Sequence, residues 1–151
     1  IANNKILQKI SVIQNGNPKN FRIEAENFVR MQGVQTEQTS DEGGGMNVGW
    51  IHNDDFIVYS IDIPQSGTYT LKYRVASYDN IGKLCLQYNS IPYSTIEINP
   101  TGGWQNWITI SDTAYFNQGV YEFTAYAVKG GFNLNYIDFT FISSENISNS
   151  K

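Results

Sequence analysis

The sequence is poor in cysteine and histidine. Its 151 residues contain one cysteine, Cys85, and one histidine, His52. A single cysteine excludes an internal disulfide, and with one histidine the chain cannot form a Cys/His metal cluster. No Ser-His-Asp arrangement is evident around His52. The sequence therefore offers no sign of a disulfide framework, a zinc site or a serine hydrolase.

Positive charge and long apolar runs are also scarce. Ten Lys and Arg residues stand against 14 Asp and Glu residues, which gives a net charge of -4. Because nucleic acids and anionic lipids are bound through basic patches, we expect neither as a partner. A strongly anionic polymer is disfavoured for the same reason. No run of 18 apolar residues exists, so no membrane-spanning helix is expected. A neutral partner is favoured.

Aromatic residues, by contrast, are abundant, with ten Tyr, eight Phe and three Trp. The clearest pattern is "TYTLKYRVAS" at 68–77, where strict alternation predicts a strand with Tyr69, Leu71, Tyr73 and Val75 facing a core. Turn residues separate it from further predicted strands at 21–28, 56–63, 83–88, 91–98, 107–116, 119–127 and 133–142. Eight or nine short strands indicate an all-β fold, a jelly-roll β-sandwich of two antiparallel sheets.

The ends of the chain differ in composition from the middle. Residues 1–20 are rich in Asn and are interpreted as a linker, and the polar residues 143–151 are interpreted as a flexible tail. This leaves 21–142 as one β-sandwich domain. The chain begins with Ile and shows no apolar signal-peptide core, which is typical of a mature fragment or an excised module.

Three Gly-rich loops precede residues suited to binding. "DEGGGMNVGW" at 41–50 is predicted to deliver Asn47 and Trp50 to a rim, although a core position for Trp50 is an equally good interpretation. "TGGWQNW" at 101–107 places Trp104 just outside a strand and Trp107 inside it, facing the core. "GGFNLNYIDF" at 130–139 places Asn133 at a loop exit. Aromatic rings combined with amides are the groups that bind neutral sugars.

Two carboxylates on one strand form a further candidate site. Glu24 and Glu26 alternate with apolar residues and are predicted to share a face, where like charges need a neutralising cation. Asp138 in the last strand is the best third ligand for a Ca²⁺ ion. A glycosidase acid/base pair is a poorer interpretation, because two neighbours on one strand cannot flank a bond from opposite sides. A solvated strand face is the remaining alternative.

The motifs in this order resemble those of family 6 carbohydrate-binding modules. The similarity runs from about Phe21 to Phe141 and includes "RIEAENF", "GGGMNVGWIHNDDF", "GTYTLKYRVAS", "TGGWQNW" and "GGFNLNYIDF". It implies a jelly-roll sandwich whose loops bind a sugar through Trp50, Trp104 and Asn133. It also implies a structural Ca²⁺ ion held by Glu24, Glu26 and Asp138. Some members have a second site on a sheet face, where this chain has Phe56 instead of the usual Trp.

The expected function is therefore non-catalytic. We expect a module that binds a neutral β-linked polysaccharide, with a β-1,3-glucan such as laminarin as the first candidate and agarose and xylan as alternatives. The resemblance implies a glycoside hydrolase on the same chain and an extracellular, bacterial setting. Two other classes stay open on the residues alone: a small glycosidase that uses Glu24 and Glu26, and a protein-interaction or adhesion sandwich that docks a partner on Trp50 and Trp104.

Overall fold

The computed structural model describes residues 19–148, and it contains no helix among them, hence none that could cross a membrane. The described residues form strands that we number in chain order: β1 (Phe21–Glu24), β2 (Arg30–Gln32), β3 (Gln35–Gln38), β4 (Met46–Gly49), β5 (Phe56–Ile63), β6 (Gly67–Ala76), β7 (Gly82–Tyr88), β8 (Ile91–Ile98), β9 (Ile108–Phe116), β10 (Gly119–Lys129) and β11 (Asn133–Ser143).

The strands form two sheets in which every pairing is antiparallel. One sheet has the order β3-β4-β11-β6-β9, with β1 also paired to β11. The other has the order β2-β5-β10-β7-β8. Neighbours in each sheet are mostly distant in sequence, as in a jelly roll. The predicted all-β sandwich is confirmed.

The core lies between the sheets and contains many of the aromatic residues. The alternation in β6 is confirmed, because Tyr69, Leu71, Tyr73 and Val75 are all completely buried. Aromatic rings from both sheets meet edge to face, with 5.4 Å between the centroids of Phe116 on β9 and Phe123 on β10. Buried hydroxyls are paired, and that of Tyr73 donates to Ser94 Oγ at 2.7 Å.

Among the differences between the fold and the prediction, two concern the segments that carry the tryptophans. The segment expected to be a loop at 41–50 contains β4, which lies between β3 and β11. Trp107 precedes β9 and is not part of the hydrophobic core; its indole N–H donates to Gln105 Oε1 at 3.1 Å. The predicted core position of Trp107 is wrong because the buried residues of β9, Ala114 and Phe116, are even-numbered, so the odd-numbered Trp107 is out of phase with the buried face of that strand.

The domain boundaries stay predictions. Apart from residues 19 and 20, the predicted linker lies outside the described residues, as do residues 149–151 of the predicted tail. Strand β11 continues to Ser143. Beyond it, the Thr68 hydroxyl donates to the Glu145 carbonyl oxygen at 2.6 Å and accepts from the Ile147 N–H at 2.9 Å. Residues 145–147 are therefore hydrogen-bonded to β6.

Candidate functional site

Two exposed tryptophans line clefts at one end of the sandwich. The exposed fraction is 48% for Trp50 and 45% for Trp104, so neither belongs to the core. Both border a cleft of about 250 Å³ that is also lined by Glu37 and Asn133. Both also border a wider cleft of about 850 Å³ that extends to His52 and Lys129. Concave surfaces lined by rings and a few polar groups are typical of ligand sites.

Trp50 follows β4 directly and leaves the sheet through an unusual backbone conformation. Its φ angle is +53°, in the left-handed region that bulky residues rarely adopt. The following residues are held in place, because the Gly131 N–H donates to the Ile51 carbonyl oxygen at 2.8 Å and the His52 N–H donates to Asp55 Oδ2 at 2.8 Å. The turn directs the ring towards the cleft instead of continuing the strand.

Trp104 lies on the loop between β8 and β9. Gly102 has a φ angle of +91°, so the predicted glycine turn before this tryptophan is present. The Trp104 ring stacks on Tyr78, with 6.1 Å between ring centroids and an interplanar angle of 27°. The Trp104 carbonyl oxygen accepts a hydrogen bond from Asn133 Nδ2 at 2.7 Å. Both the ring and the backbone of Trp104 are thus supported.

Asn133 begins β11 at the base of the smaller cleft. Its exposed fraction is 3%, and its amide donates to the Trp104 carbonyl oxygen and, at 3.4 Å, to Glu37 Oε2. A Cβ atom at Gly49 would lie 2.7 Å from Asn133 Oδ1, so this amide requires glycine at the end of the neighbouring strand. The structure brings together Trp50, Trp104 and Asn133, the three residues predicted for sugar binding by resemblance.

Asn47 lies below the cleft and does not line it. It is completely buried on β4, opposite Glu37 on β3. Its amide donates to Glu37 Oε2 at 3.2 Å, and its carbonyl oxygen accepts from Gln105 Nε2 at 3.1 Å. The sequence predicted that Asn47 would reach the rim, but its position inside a paired strand places it among supporting residues.

Two further residues belong to this region and were not predicted from the sequence: Glu37, which lines the smaller cleft, and Tyr78, which stacks on Trp104. Glu37 lines the smaller cleft from β3, a strand that the alternation did not reveal. Treating the glycines at 43–45 as the turn of a hairpin would have paired Glu37 with Asn47. Tyr78 is 53% exposed just after β6, and an exposed ring beyond a strand end was the available signal.

An ion pair lies on the same sheet as Glu37 and Asn47. Arg74 on β6 donates two hydrogen bonds of 2.9 Å to the Asp41 carboxylate, whose side chain is 4% exposed. Asn135 Nδ2 adds a third hydrogen bond at 2.8 Å. The bonds from Arg74, more than those from Asn135 and the backbone, hold the pKa of Asp41 below its ordinary value. The pair links the loop after β3 to the middle of the sheet.

Phe56, predicted for a second site, lies elsewhere. It begins β5 and is paired with Tyr126 on β10. Since Ile57 and Ala125 point into the core, Phe56 and Tyr126 lie side by side on the outer face of the five-stranded sheet. The Tyr126 hydroxyl donates to Asp54, which raises the pKa of that tyrosine. Phe56 lines neither of the two clefts.

The three predicted metal ligands, Glu24, Glu26 and Asp138, do not form one cluster. Among residues 19–148, no three His, Cys, Asp or Glu side chains form a group able to hold a metal ion. Register explains this, because Asp138 lies opposite Arg22, which donates to both of its carboxylate oxygens at 2.6 and 2.9 Å. Glu24 lies opposite Tyr136 instead, and Glu26 follows in a turn beyond β1.

Glu24 and Glu26 nevertheless fit a hard cation. Oε1 of Glu26 is buried and has no hydrogen-bond partner among the described residues. Burial and then the charge of Glu26 raise the pKa of the Glu24 carboxyl above its ordinary value. A buried acceptor without a donor, close to a second carboxylate, is the environment in which an oxygen-coordinated cation is stabilising. The fit holds for these two side chains, whereas the Asp138 carboxylate is engaged by Arg22.

Comparison with known proteins agrees with this architecture. Residues 24–141 match the family described as carbohydrate binding module, family 6. The chain belongs to this family. The α subunit of clotting factor G from Tachypleus tridentatus is 40% identical over 126 residues, a match that covers 82% of this chain and 19% of that protein.

Solved structures of family 6 modules are similar over the same region. The module of Cellvibrio mixtus lichenase 5A, solved in complex with cellotriose, is 39% identical with a TM-score of 0.76, covering 82% of this chain and 98% of that one. A β-1,3-glucan-binding family 6 module from Bacillus halodurans is 30% identical with a TM-score of 0.73, covering 80% and 95%.

Membership of family 6 determines the class of function of this chain. Family 6 modules bind carbohydrate and are not catalytic, so Glu24 and Glu26 are not a glycosidase pair. Such modules occur within glycoside hydrolases, as in the lichenase. This carbohydrate-binding module spans about a fifth or less of the length of the curated relatives it matches.

Proposed function

We propose that this module binds a neutral β-linked polysaccharide in the cleft between Trp50 and Trp104. The observation that carries the proposal is the cleft of about 250 Å³ that joins these rings to Asn133 and Glu37. The apolar face of a pyranose stacks on an aromatic ring, and its hydroxyls bond to amide and carboxylate oxygens. The cleft offers both kinds of contact within one concave surface.

The energetics suit a weak, reversible binder. Each stacked ring removes on the order of 100 Å² of apolar surface from water, which contributes about 2–3 kcal/mol before ordering costs. Two such contacts with polar bonds correspond to a Kd of roughly 10⁻⁵ to 10⁻³ M. Attachment at several points along a polymer would strengthen retention.

The carboxylate of Glu37 favours a neutral ligand over an anionic one. Its Oε2 accepts from the amides of Asn47, Gln105 and Asn133 at 3.1–3.4 Å. Because those donors converge on one oxygen, Oε1 is the acceptor that a ligand hydroxyl would meet. A carboxylate in this position attracts hydroxyl donors and repels sulfate or uronate groups.

The first candidate ligand is a β-1,3-glucan such as laminarin. The similarity to a β-1,3-glucan-binding module supports this choice. The similarity to a module that binds cellotriose keeps β-1,4-linked glucose in the test panel, together with agarose and xylan. In the full-length protein, which we expect to be bacterial and secreted, the module would hold a glycoside hydrolase on its polysaccharide.

Substitution of Trp104 tests the proposal. Trp104→Ala should weaken binding of laminarin roughly 50-fold or more in calorimetry and affinity electrophoresis, because about 2–3 kcal/mol of stacking is lost. The melting temperature should change little, since the ring is already 45% exposed. Ile142→Ala, at an equally exposed residue near the other end of β11, is the control and should bind like wild type.

Two outcomes would overturn the proposal. If the wild-type module is not retained by laminarin, cellulose oligosaccharides, agarose or xylan, polysaccharide binding at this cleft is wrong. If Trp104→Ala is retained as strongly as wild type, the ligand lies elsewhere. A protein partner that soluble oligosaccharides fail to displace from the cleft would favour the adhesion alternative.

We also propose that Glu24 and Glu26 bind a structural Ca²⁺ ion. The buried Oε1 atom of Glu26 supports this, because an ion would give it the partner it lacks. Backbone carbonyl oxygens would complete the coordination. The ion would tie the end of β1 to the turn that follows it and would supply stability, with no part in sugar binding.

Chelation tests the calcium proposal. A ligand present at 100 times its Kd stabilises the fold by about 2.7 kcal/mol, so prolonged EDTA treatment should lower the melting temperature by roughly 5–10 °C. Adding CaCl2 should restore it in wild type and in the control Glu97→Gln, but not in Glu26→Gln. The calcium site would be contradicted if wild type had the same melting temperature with and without EDTA treatment and elemental analysis found no calcium.

A further inference from the structure

The side chain of Gln105 occupies a central place below the cleft. Its carbonyl oxygen, Oε1, accepts from the Ser40 N–H at 2.8 Å, from Trp107 Nε1 at 3.1 Å and from the hydroxyls of Thr39 and Ser40 at 3.2 Å. Its Nε2 donates to Glu37 Oε2 and to Asn47 Oδ1, both at 3.1 Å. One amide therefore joins the Trp104 loop to β3, to β4 and to the loop after β3.

Only a side-chain amide satisfies these partners. At one end of the amide, the N–H groups of Ser40 and Trp107 require an acceptor. At its other end, the oxygens of Glu37 and Asn47 require a donor. A carboxylate has no donor, an ammonium has no acceptor, and a shorter amide would not reach across the same span. The partners also determine the orientation of the amide, with Oε1 towards Ser40 and Trp107.

Gln105 directly follows Trp104, and the two residues are fixed together. Asn133 Nδ2 holds the Trp104 carbonyl oxygen at 2.7 Å on one side of the peptide. On the other side of this peptide group, the hydrogen bonds of the Gln105 side chain hold Gln105 itself in place. The backbone that carries the Trp104 ring is thus fixed before any ligand arrives, which reduces the ordering cost of binding.

We propose that Gln105 is the positioning residue of the cleft, and that its amide sets both the placement of the Trp104 ring and the direction of the Glu37 carboxylate. Without its Nε2 donor, Glu37 Oε2 would keep only the amides of Asn47 and Asn133. The carboxylate could then rotate, so both a stacking surface and an acceptor of the cleft would become less ordered. This inference rests on the proposed function.

The first experiment compares Gln105→Ala with Asn106→Ala, a neighbour in the same loop. The probe is a laminarin-derived hexasaccharide titrated by calorimetry. Gln105→Ala should bind about tenfold more weakly, whereas Asn106→Ala should stay within about twofold of wild type. A purely structural role would lower the melting temperature of Gln105→Ala while its folded fraction binds with wild-type affinity, and that result would overturn the proposal.

A measurement without ligand separates this inference from the proposed function. The chain has three tryptophans, so a ¹H–¹⁵N spectrum contains three indole signals. In Gln105→Ala, the Trp107 indole should shift and exchange faster, and the Trp104 indole should broaden. If wild type binds no glycan yet these changes occur, the proposed function fails and the positioning role stands. An unchanged Trp104 signal would overturn the positioning role itself.

The variant Gln105→Glu gives a pH-dependent test. The new carboxylate would face Glu37, the charged side chain among the contacts of Gln105, and two like charges at this distance raise one pKa strongly. Binding should be at least tenfold weaker than wild type at pH 8 and should recover to within about threefold at pH 5, where the pair holds a proton. A ratio of mutant to wild-type affinity that does not change with pH would contradict the geometry.

Discussion

The loop end and the outer face of the five-stranded sheet both carry accessible aromatic rings, but in different surroundings. At the loop end, Trp50 and Trp104 border a common cleft above Asn133 and Glu37. On the sheet face, Phe56 and Tyr126 lie side by side on adjacent strands, and the Tyr126 hydroxyl is already bonded to Asp54. The first region has concavity and convergent polar groups, and the second is a pleated surface.

This difference indicates that exposed aromatic rings alone do not provide the concave surface with convergent polar groups that is typical of ligand sites. A ring contributes apolar area wherever it is exposed, but orientation and specificity need polar groups directed at the same ligand. At the loop end, backbone turns carry both rings out of the sheet, and side-chain amides of Asn133 and Gln105 hold the Trp104 loop. We therefore expect the loop end to dominate binding, and Phe56 to remain a candidate for a weaker second site.

The largest expected effect comes from comparing Trp50→Ala with Phe56→Ala. Loss of the Trp50 stacking surface should weaken laminarin binding roughly 50-fold, about 2–3 kcal/mol, while loss of Phe56 should change it less than about twofold. Calorimetry on both variants measures this directly, and melting curves check that each is folded. If Phe56→Ala weakens binding as much as Trp50→Ala, the sheet face is a binding site of equal importance.

A smaller effect is expected from Glu37→Gln. The substituted side chain can keep one carbonyl oxygen for the amides of Asn47, Gln105 and Asn133, but it then presents an NH₂ group to the cleft. Loss of a charge-assisted acceptor should weaken binding about 5- to 10-fold in calorimetry. Glu97→Gln, on β8, serves as the control. Unchanged affinity would show that Glu37 only supports the loop end and does not contact the ligand.

The weakest effect that we expect is on the melting temperature at low pH. The pKa of Asp41 is lowered by Arg74, so its stabilising contribution is complete above the unfolded value near 4 and is lost as pH falls through the folded value. Acid should therefore loosen the loop end, seen as a fall in melting temperature below about pH 4. In Asp41→Asn this fall should be smaller, although the variant should be less stable at pH 7. Identical acid profiles would assign the effect to other carboxylates.

Much of the fold could be predicted because alternation is local. Strand β6 follows the predicted pattern residue by residue, since one face of that strand is buried by the opposite sheet. Strands β2, β3 and β4 were missed because they are only three or four residues long and mostly polar or glycine-containing. Pairing with neighbouring strands, and not their own composition, makes them strands.

The candidate site was predicted in part. Trp104 and Asn133 stand beside glycines in a pattern visible in the sequence, and the structure places both at the smaller cleft with Trp50. Asn47, Glu37 and Gln105 could not be sorted into supporting and lining residues, because that depends on which side of a paired strand each one occupies. Residue type favours Asp138 as a metal ligand, but the register of β1 and β11, which places Arg22 opposite Asp138, is not visible in the sequence.

The amino-acid sequence alone is sufficient to assign the class of fold, the abundance of aromatic residues and the family of the module. These properties follow from residue types and short-range periodicity. Which polar groups converge is visible only in the folded chain, because residues 37, 47, 105 and 133 are brought together by contacts between strands and loops that are distant in sequence. A hydrogen-bond network depends on distances of about 3 Å between atoms, and such distances are set by register and packing, which no local pattern encodes.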